Sequence, residues 1–242
     1  MDQAMLPLLQ LADSSFPTGA FSHSFGLETA LSEGTITSAS DLHAWLEGFI
    51  VGSFATMEAS AVYFSHSLLS DHIQDWNEIE YIDTWKEPIT LLDLRMTLSK
   101  LARESRIGSV KIGRQYVRMG MQLYPDAHLQ IYDQLIQSGS CFGNAAIAHG
   151  WVCSYLGVSA ETAILTHLYT SVNALIQNAV RAAPIGQTQG QHILSSLFLH
   201  MEQVTSHTIA QPPAFLHLAN AAILHEIQAM RHETLYSRLF MS

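Results

Sequence analysis

The chain has 242 residues with 21 acidic and 11 basic side chains, a formal net charge of −10, and a charged fraction of only 13% where about a quarter is usual. So acidic a chain is a poor general nucleic-acid binder, and polar residues interrupt every apolar run long enough to span a bilayer. Met1 to Leu11 holds no Lys or Arg, and Cys141 and Cys153 fit buried thiols better than a disulfide scaffold, so one cytoplasmic domain covering residues 1–242 is expected.

The charge is divided unequally. Residues 1–94 carry −13, residues 95–118 carry +6 and the remainder −3. A surface this poor in charge associates readily, and a permanent oligomer or obligate partner is expected.

Helical spacing dominates and alternating β-branched runs are nearly absent, so an all-α bundle of roughly nine or ten helices is predicted. Near the start, the apolar run Leu6 to Leu11 ends in SSFPTGAFSHSFGLE, Ser14 to Glu28. Pro17 fixes its φ and Gly19 permits a left-handed turn, after which a helix restarts with Ser22 or Ser24 as N-cap; Phe16, Phe21 and Phe25 then need burial. Ser38 with Asp41 has capping-box spacing, and so does Thr90 with Asp93 after a break at Pro88. Gly48 and Gly52 in WLEGFIVGSFA form a small-xxx-small pair suited to close helix contact.

From Leu91 to Met119 the spacing predicts one core helix, or two in line, whose buried stripe takes Leu91, Leu94, Leu98, Leu101, Ser105, Gly108, Ile112, Tyr116 and Met119. Lys100, Arg103, Lys111, Arg114 and Arg118 project oppositely, either as a solvated face or toward the acidic first third. Farther on, Arg181 ends a long apolar helix, where a cation suits the dipole; the alternative is a desolvated guanidinium held by a carboxylate. It is followed by PIGQTQGQ, Pro184 to Gln191, in which Gly186 and Gly190 allow unusual backbone angles and Gln187, Gln189 and Gln191 offer uncharged hydrogen bonds. Gly34, Pro125, Gly139, Gly157 and the pair Pro212 and Pro213 punctuate the rest. In the last eight residues Leu235, Tyr236, Leu239 and Phe240 demand a surface, either their own domain or a partner with Arg238 making a bidentate contact.

Known reaction chemistry is hard to find. No two of the 13 histidines have helical chelate spacing, there is no CxxC, and no Lys follows a Gly as a phosphate-cradling loop requires. Ser22, His23 and Ser24 lack the glycine of a nucleophile elbow. No catalytic residue is assigned.

Four segments are similar in sequence and order to the urease accessory protein UreF family: Pro17, Gly19, Phe21, Ser24, Gly26, Leu27 and Glu28 in the first; RESRIGSVKIGR, with Arg106 and Arg114, in the second; PIGQTQGQ in the third; and HETLYSRLFMS, with Glu233, Arg238, Leu239 and Phe240, at the end. Met241 stands where the family's tail usually has Arg. The resemblance implies a non-catalytic, homodimeric helical scaffold. It would bind UreD (also called UreH), recruit the GTPase UreG to the urease structural subunits, and assist insertion of nickel, with no tightly bound cofactor and nickel passing through the complex. The named motif residues, with Arg181, Pro184, Gly186, Gln187 and Gln191, would form partner-binding or structural surfaces, and residues 232–242 a partner-seeking tail. The readings set against it are a stand-alone nickel carrier and a metal-dependent hydrolase using His23 or His225 with Glu28 or Glu226.

Overall fold

The computed structural model describes residues 4–72, 82–212 and 218–242, and among these the fold is all-α. In chain order the helices are α1 (Met5–Ala12), α2 (Leu27–Ser32), α3 (Ala39–Phe49), α4 (Ala59–His72), α5 (Ile82–Leu98), α6 (Arg103–Leu123), α7 (Gln130–Gln137), α8 (Ala145–Tyr155), α9 (Ala160–Ala182), α10 (Gln187–Ser196), α11 (Phe198–Ala210) and α12 (Ile223–Arg231). A π-helical segment, Ile50–Glu58, joins α3 to α4, and only Leu197 separates α10 from α11. Taking each of those pairs as continuous gives ten runs. Pro213, expected to punctuate the chain, lies outside the described residues.

The predicted capping box at Ser38 is formed: Ser38 Oγ accepts from Asp41 N, and Asp41 accepts from the Ser38 and Thr37 amides. The second box is not. Pro88 lies inside α5, and Asp93 is buried and turned outward from its own helix axis toward the segment ahead of α8. It accepts from the Tyr132 hydroxyl, the Phe142 and Gly143 amides and Asn144 Nδ2.

Packing is closest where side chains vanish. A Cβ on Gly150 of α8 would stand 2.1 Å from Ser65 Oγ of α4 and 2.6 Å from Val62 O. Trp151 follows directly, fully buried, edge-on to Trp85 at 4.9 Å and donating its indole N–H to Ala127 O. The Gly48 and Gly52 pair also serves close contact. Added Cβ atoms there would meet His225 and Ala222 at 3.1 Å, and the Gly52 carbonyl accepts from Ala221 N and from Thr56 Oγ1. That carbonyl sits in the π segment, whose loosened turn leaves it open to these partners.

Two helices, α5 and α6, replace the single stripe. Ser105, Gly108 and Tyr116 are buried as expected, but Leu94, Leu98 and Leu101 are exposed, while Leu92 and Met96 of α5 point inward. The break at 99–102 shifts the helical phase, so a stripe drawn through both helices is buried only in the second. Lys100, in that break, leaves the solvated face. It is buried and pairs with Glu58 at 2.9 Å, whereas Arg103, Lys111, Arg114 and Arg118 are exposed. Cys141 and Cys153 are buried free thiols, both pushed up to about 12 by burial; Cys153 is in α8, and Cys141 lies in the connection before it.

Candidate interaction site

The segment at Ser14 to Glu28 folds by local hydrogen bonding. Asp13 Oδ1 accepts from the Ser15 amide and hydroxyl, which together lower its carboxyl, and Phe16 packs on the Tyr116 ring at 5.5 Å. Gly19 takes the expected left-handed conformation, φ +80°. A second reversal follows at Phe25 (φ +51°) and Gly26 (φ +94°), and Gly26, not a serine, precedes α2. A Cβ at Gly26 would lie 2.8 Å from His225 O, so this turn is wedged against α12. Ser24 is spent elsewhere. Its hydroxyl and its amide both donate to Ser242 O, joined by the Phe25 amide.

Residues 232–242 therefore lie against the first motif. Met241 N donates to Ser22 O, and His23 Nδ1 is 2.8 Å from Ser242 Oγ. Burial, and then the charge of Lys111, hold His23 down to about 4, so it is neutral near pH 7. Glu28 accepts from the amides of Leu239 and Phe240 and lies 2.9 Å from His232 Nε2. Glu104, in the first turn of α6, lies 2.6 Å from His232 Nδ1 and accepts from Arg238 Nη1. Helix α6 admits this packing at Gly108, where a Cβ would stand 2.6 Å from His23 Nδ1 and 3.1 Å from Ser242 Oγ.

The C-terminal end of α9 closes the junction. Asn178 Nδ2 donates to His23 O. Arg181 Nη1 donates to Phe21 O, and the guanidinium lies 6.0 Å from the Phe21 ring centre and 5.2 Å from that of Phe240. Arg181 is thus an exposed residue held by a carbonyl and two rings, not by the carboxylate expected of a desolvated guanidinium. Arg238 Nη1 donates to Glu104 within the chain. Phe21 is 61% exposed, against the expectation that all three phenylalanines of the motif are covered.

The structure thus gathers Phe21, Ser24, Gly26, Glu28, Arg181, Arg238, Leu239 and Phe240, with Pro17 and Gly19 shaping the approach and Leu27 buried beneath. Other candidates stay apart. Arg106 Nη1 donates to the Lys100 and Leu101 carbonyls and fixes the break between α5 and α6; Arg114 Nε donates to Phe142 O. Glu233 is exposed. PIGQTQGQ is mostly the start of α10 and not a loop. Gly186 has an ordinary φ of −76°, Pro184, Gln187, Gln189 and Gln191 are exposed, and Gly190 serves packing on Ile176 of α9, where a Cβ would come within 3.0 Å.

Glu104, Gly108, Asn178, His232 and Ser242 were not singled out from the sequence as site residues. Glu104 and Gly108 lie in RESRIGSVKIGR and His232 and Ser242 in HETLYSRLFMS, so the matched segments held four of the five, and Glu104 and Gly108, four apart on α6, share a face. The proposed hydrolase residues are engaged structurally: His225 Nε2 lies 3.0 Å from Trp45 O, and Glu226 accepts from the Ala102 amide and Asn220. Among the described residues no three His, Cys, Asp or Glu side chains are arranged to hold a metal ion, and no helix is long and apolar enough to cross a membrane.

Below the junction lies a cleft of about 230 Å³ between the first motif, the π segment, α6 and α9. Glu58, Lys100 and His167 form one polar part of its wall, with His167 Nε2 at 3.3 Å from Glu58. Burial alone would raise the Glu58 carboxyl, but the Lys100 charge and the His167 hydrogen bond outweigh it and hold Glu58 at about 2.

The UreF family profile matches residues 36–198, and full-length relatives extend the match to both ends. The chain belongs to the UreF family. It is 36% identical over 244 residues to the urease accessory protein UreF of Lachnoclostridium phytofermentans, with all of both chains covered. It is 36% identical to that of Bacillus sp. strain TB-90, over 98% of this chain and 99% of the relative. The protein of the same name from Paenarthrobacter aurescens is 33% identical, over 98% and 97%. The junction of this UreF-family chain draws on residues on both sides of the profile match, which explains why the ends of the chain carry motifs at all.

Proposed function

We propose that the chain is a non-catalytic urease accessory scaffold in the cytoplasm that binds UreD/UreH, brings the GTPase UreG to apo-urease and assists nickel insertion, the nickel passing as cargo. The supporting observation is the docked tail. Its backbone and Phe240 are fixed on the first motif, while Tyr236, Leu239 and Met241 stand fully or more than half exposed beside the exposed ring of Phe21. A tail whose backbone is already fixed loses little further backbone entropy on association, which suits a recognition surface. In this reading the tail is preorganised on its own chain before any partner arrives, which departs from the expectation of a tail that folds only on docking.

Homodimerisation is proposed on the exposed apolar side chains Ile223, Leu224, Ile227 and Met230 of α12 and Leu98 and Leu101 beside it, which the bond from Ala102 N to Glu226 brings together. The test is co-expression of the tagged chain with UreD/UreH, UreG and the urease subunits, followed by size exclusion with light scattering. Co-elution with two copies of the chain is expected, and removal of residues 233–242 is expected to abolish UreD/UreH binding with helix content retained. A shortened chain that still binds UreD/UreH overturns the role given to the tail; a full chain that elutes alone overturns the scaffold.

A further inference from the structure

His232 is fully buried, and each of its ring nitrogens faces a different carboxylate: Nδ1 is 2.6 Å from Glu104 and Nε2 is 2.9 Å from Glu28. An ionised carboxylate only accepts hydrogen bonds, and a neutral imidazole has one N–H. Both contacts are hydrogen bonds only if the ring is an imidazolium or one carboxyl is protonated. The second arrangement is disfavoured. Glu28 also accepts two backbone amides, Leu239 and Phe240, and Glu104 accepts from the Arg238 guanidinium. Each carboxylate, moreover, lies in the first turn of its helix, where the dipole favours the anion.

We propose that His232 is a proton-dependent latch: its imidazolium, clamped between Glu28 and Glu104, holds residues 233–242 on the first motif, and loss of that proton releases them. The charged groups around the ring fit this role. Glu28 faces it from α2, Glu104 from α6, and Arg238 reaches Glu104 from the tail, while Arg231 next in sequence is drawn to Glu33. A neutral ring would leave one carboxylate oxygen facing an unprotonated nitrogen at hydrogen-bond distance, and Glu28 would hold two tail amides with one fewer positive partner. The latch is a property of the chain alone and stands whether or not the proposed partners bind.

The test is hydrogen exchange by mass spectrometry on the intact chain at about pH 6 and about pH 9, each corrected against the unfolded chain at the same pH. Amides of residues 239–241 are expected to lose at least tenfold in protection at the higher pH, while α9 stays unchanged. His232→Gln should leave these amides unprotected at both values. Glu104→Gln asks for only one imidazole N–H, since its amide can donate to the other ring nitrogen, so the loss of protection at the higher pH should disappear; it remains informative if His232→Gln fails to fold. Equal protection of the wild-type tail at both pH values overturns the latch, as does a pH-dependent loss that survives in His232→Gln. Nitrogen-15 histidine spectra showing a neutral His232 ring while the tail is docked would also overturn it.

Discussion

Two half-hidden charge clusters contain the same kinds of groups and behave differently. In one, Glu58 meets Lys100 and His167 in the wall of the cleft; in the other, Glu28 and Glu104 meet His232, with Arg238 outside. The first has a lysine as its central cation and ties the π segment to the break before α6. The second has an imidazole at its centre and ties down only a tail. The first is anchored in packed elements on both sides, whereas the second is conditional on the tail staying docked. The difference assigns the first to the fold and the second to control of a surface.

Acid is expected to have the largest effect and to separate the clusters. His23 is depressed to about 4, and His149, buried and lying near His167, to about 3. Both have folded values below the ordinary 6.5, so the stability they contribute is complete above that value and is lost as pH falls toward 4 and 3. Glu58, held at about 2, contributes above the ordinary carboxylate range and loses its share as pH falls toward 2. All three terms have the same sign. The two histidines should together cost on the order of several kcal/mol between pH 6.5 and 4, read as a falling urea midpoint. Because His23 touches Ser242, acid should also loosen the tail.

Replacing Lys100 with Met comes next. It leaves the half-buried Glu58 with only a histidine for support, and a loss of at most about 3–5 kcal/mol in urea unfolding is expected, the range for breaking a buried pair from one side. Glu58→Gln added to Lys100→Met should restore much of it. A double variant as unstable as the single would show that Lys100 matters for its packing and not its charge. By contrast Arg238→Gln, at the exposed rim of the other cluster, should cost about 1 kcal/mol or less.

Gly108→Ala probes the conditional cluster from beneath. The added methyl would stand 2.6 Å from a buried imidazole stacked on Phe25, and overpacking of this kind costs about 1–3 kcal/mol. The tail has less holding it than the core does, so the strain should be relieved by undocking. Faster exchange confined to residues 239–242 is expected. A uniform loss across α6 and α9 would instead place the tail within the cooperative core.

Local features were legible in the sequence and distant ones were not. Ser38 and Asp41 are three residues apart and form the box that their spacing predicts. Asp93 has the same spacing from Thr90, yet it is committed to Tyr132 and to residues 142–144, about fifty positions away, a choice invisible to any local pattern. Ser24 was read as a cap for the same reason, and its partner is 218 residues distant. The all-α fold and the motif resemblance marked which segments matter; only the coordinates show that the first, second and last converge while PIGQTQGQ packs on α9. The phase shift at 99–102 defeated the stripe through Leu94, Leu98 and Leu101 because one extra bend in a helix rotates everything beyond it.

Arg181→Lys gives the smallest expected effect and sharpens the comparison most closely. The guanidinium does three things at once: it donates to Phe21 O, lies near the Phe21 ring and faces the Phe240 ring. A lysine keeps the charge and its place at the end of α9, but its ammonium is compact and strongly hydrated and has no flat face to lay on an aromatic ring. Near solvent the exchange should cost about 0.5–1 kcal/mol, too little to move the global midpoint far. It should appear in the tail, as a few-fold drop in protection of residues 240–241 that is the same at pH 6 and pH 9. That constancy is the informative result. A pH-independent loss in Arg181→Lys beside a pH-dependent one in the wild type would separate the aromatic clamp on Phe240 from the histidine clamp on Glu28 and Glu104.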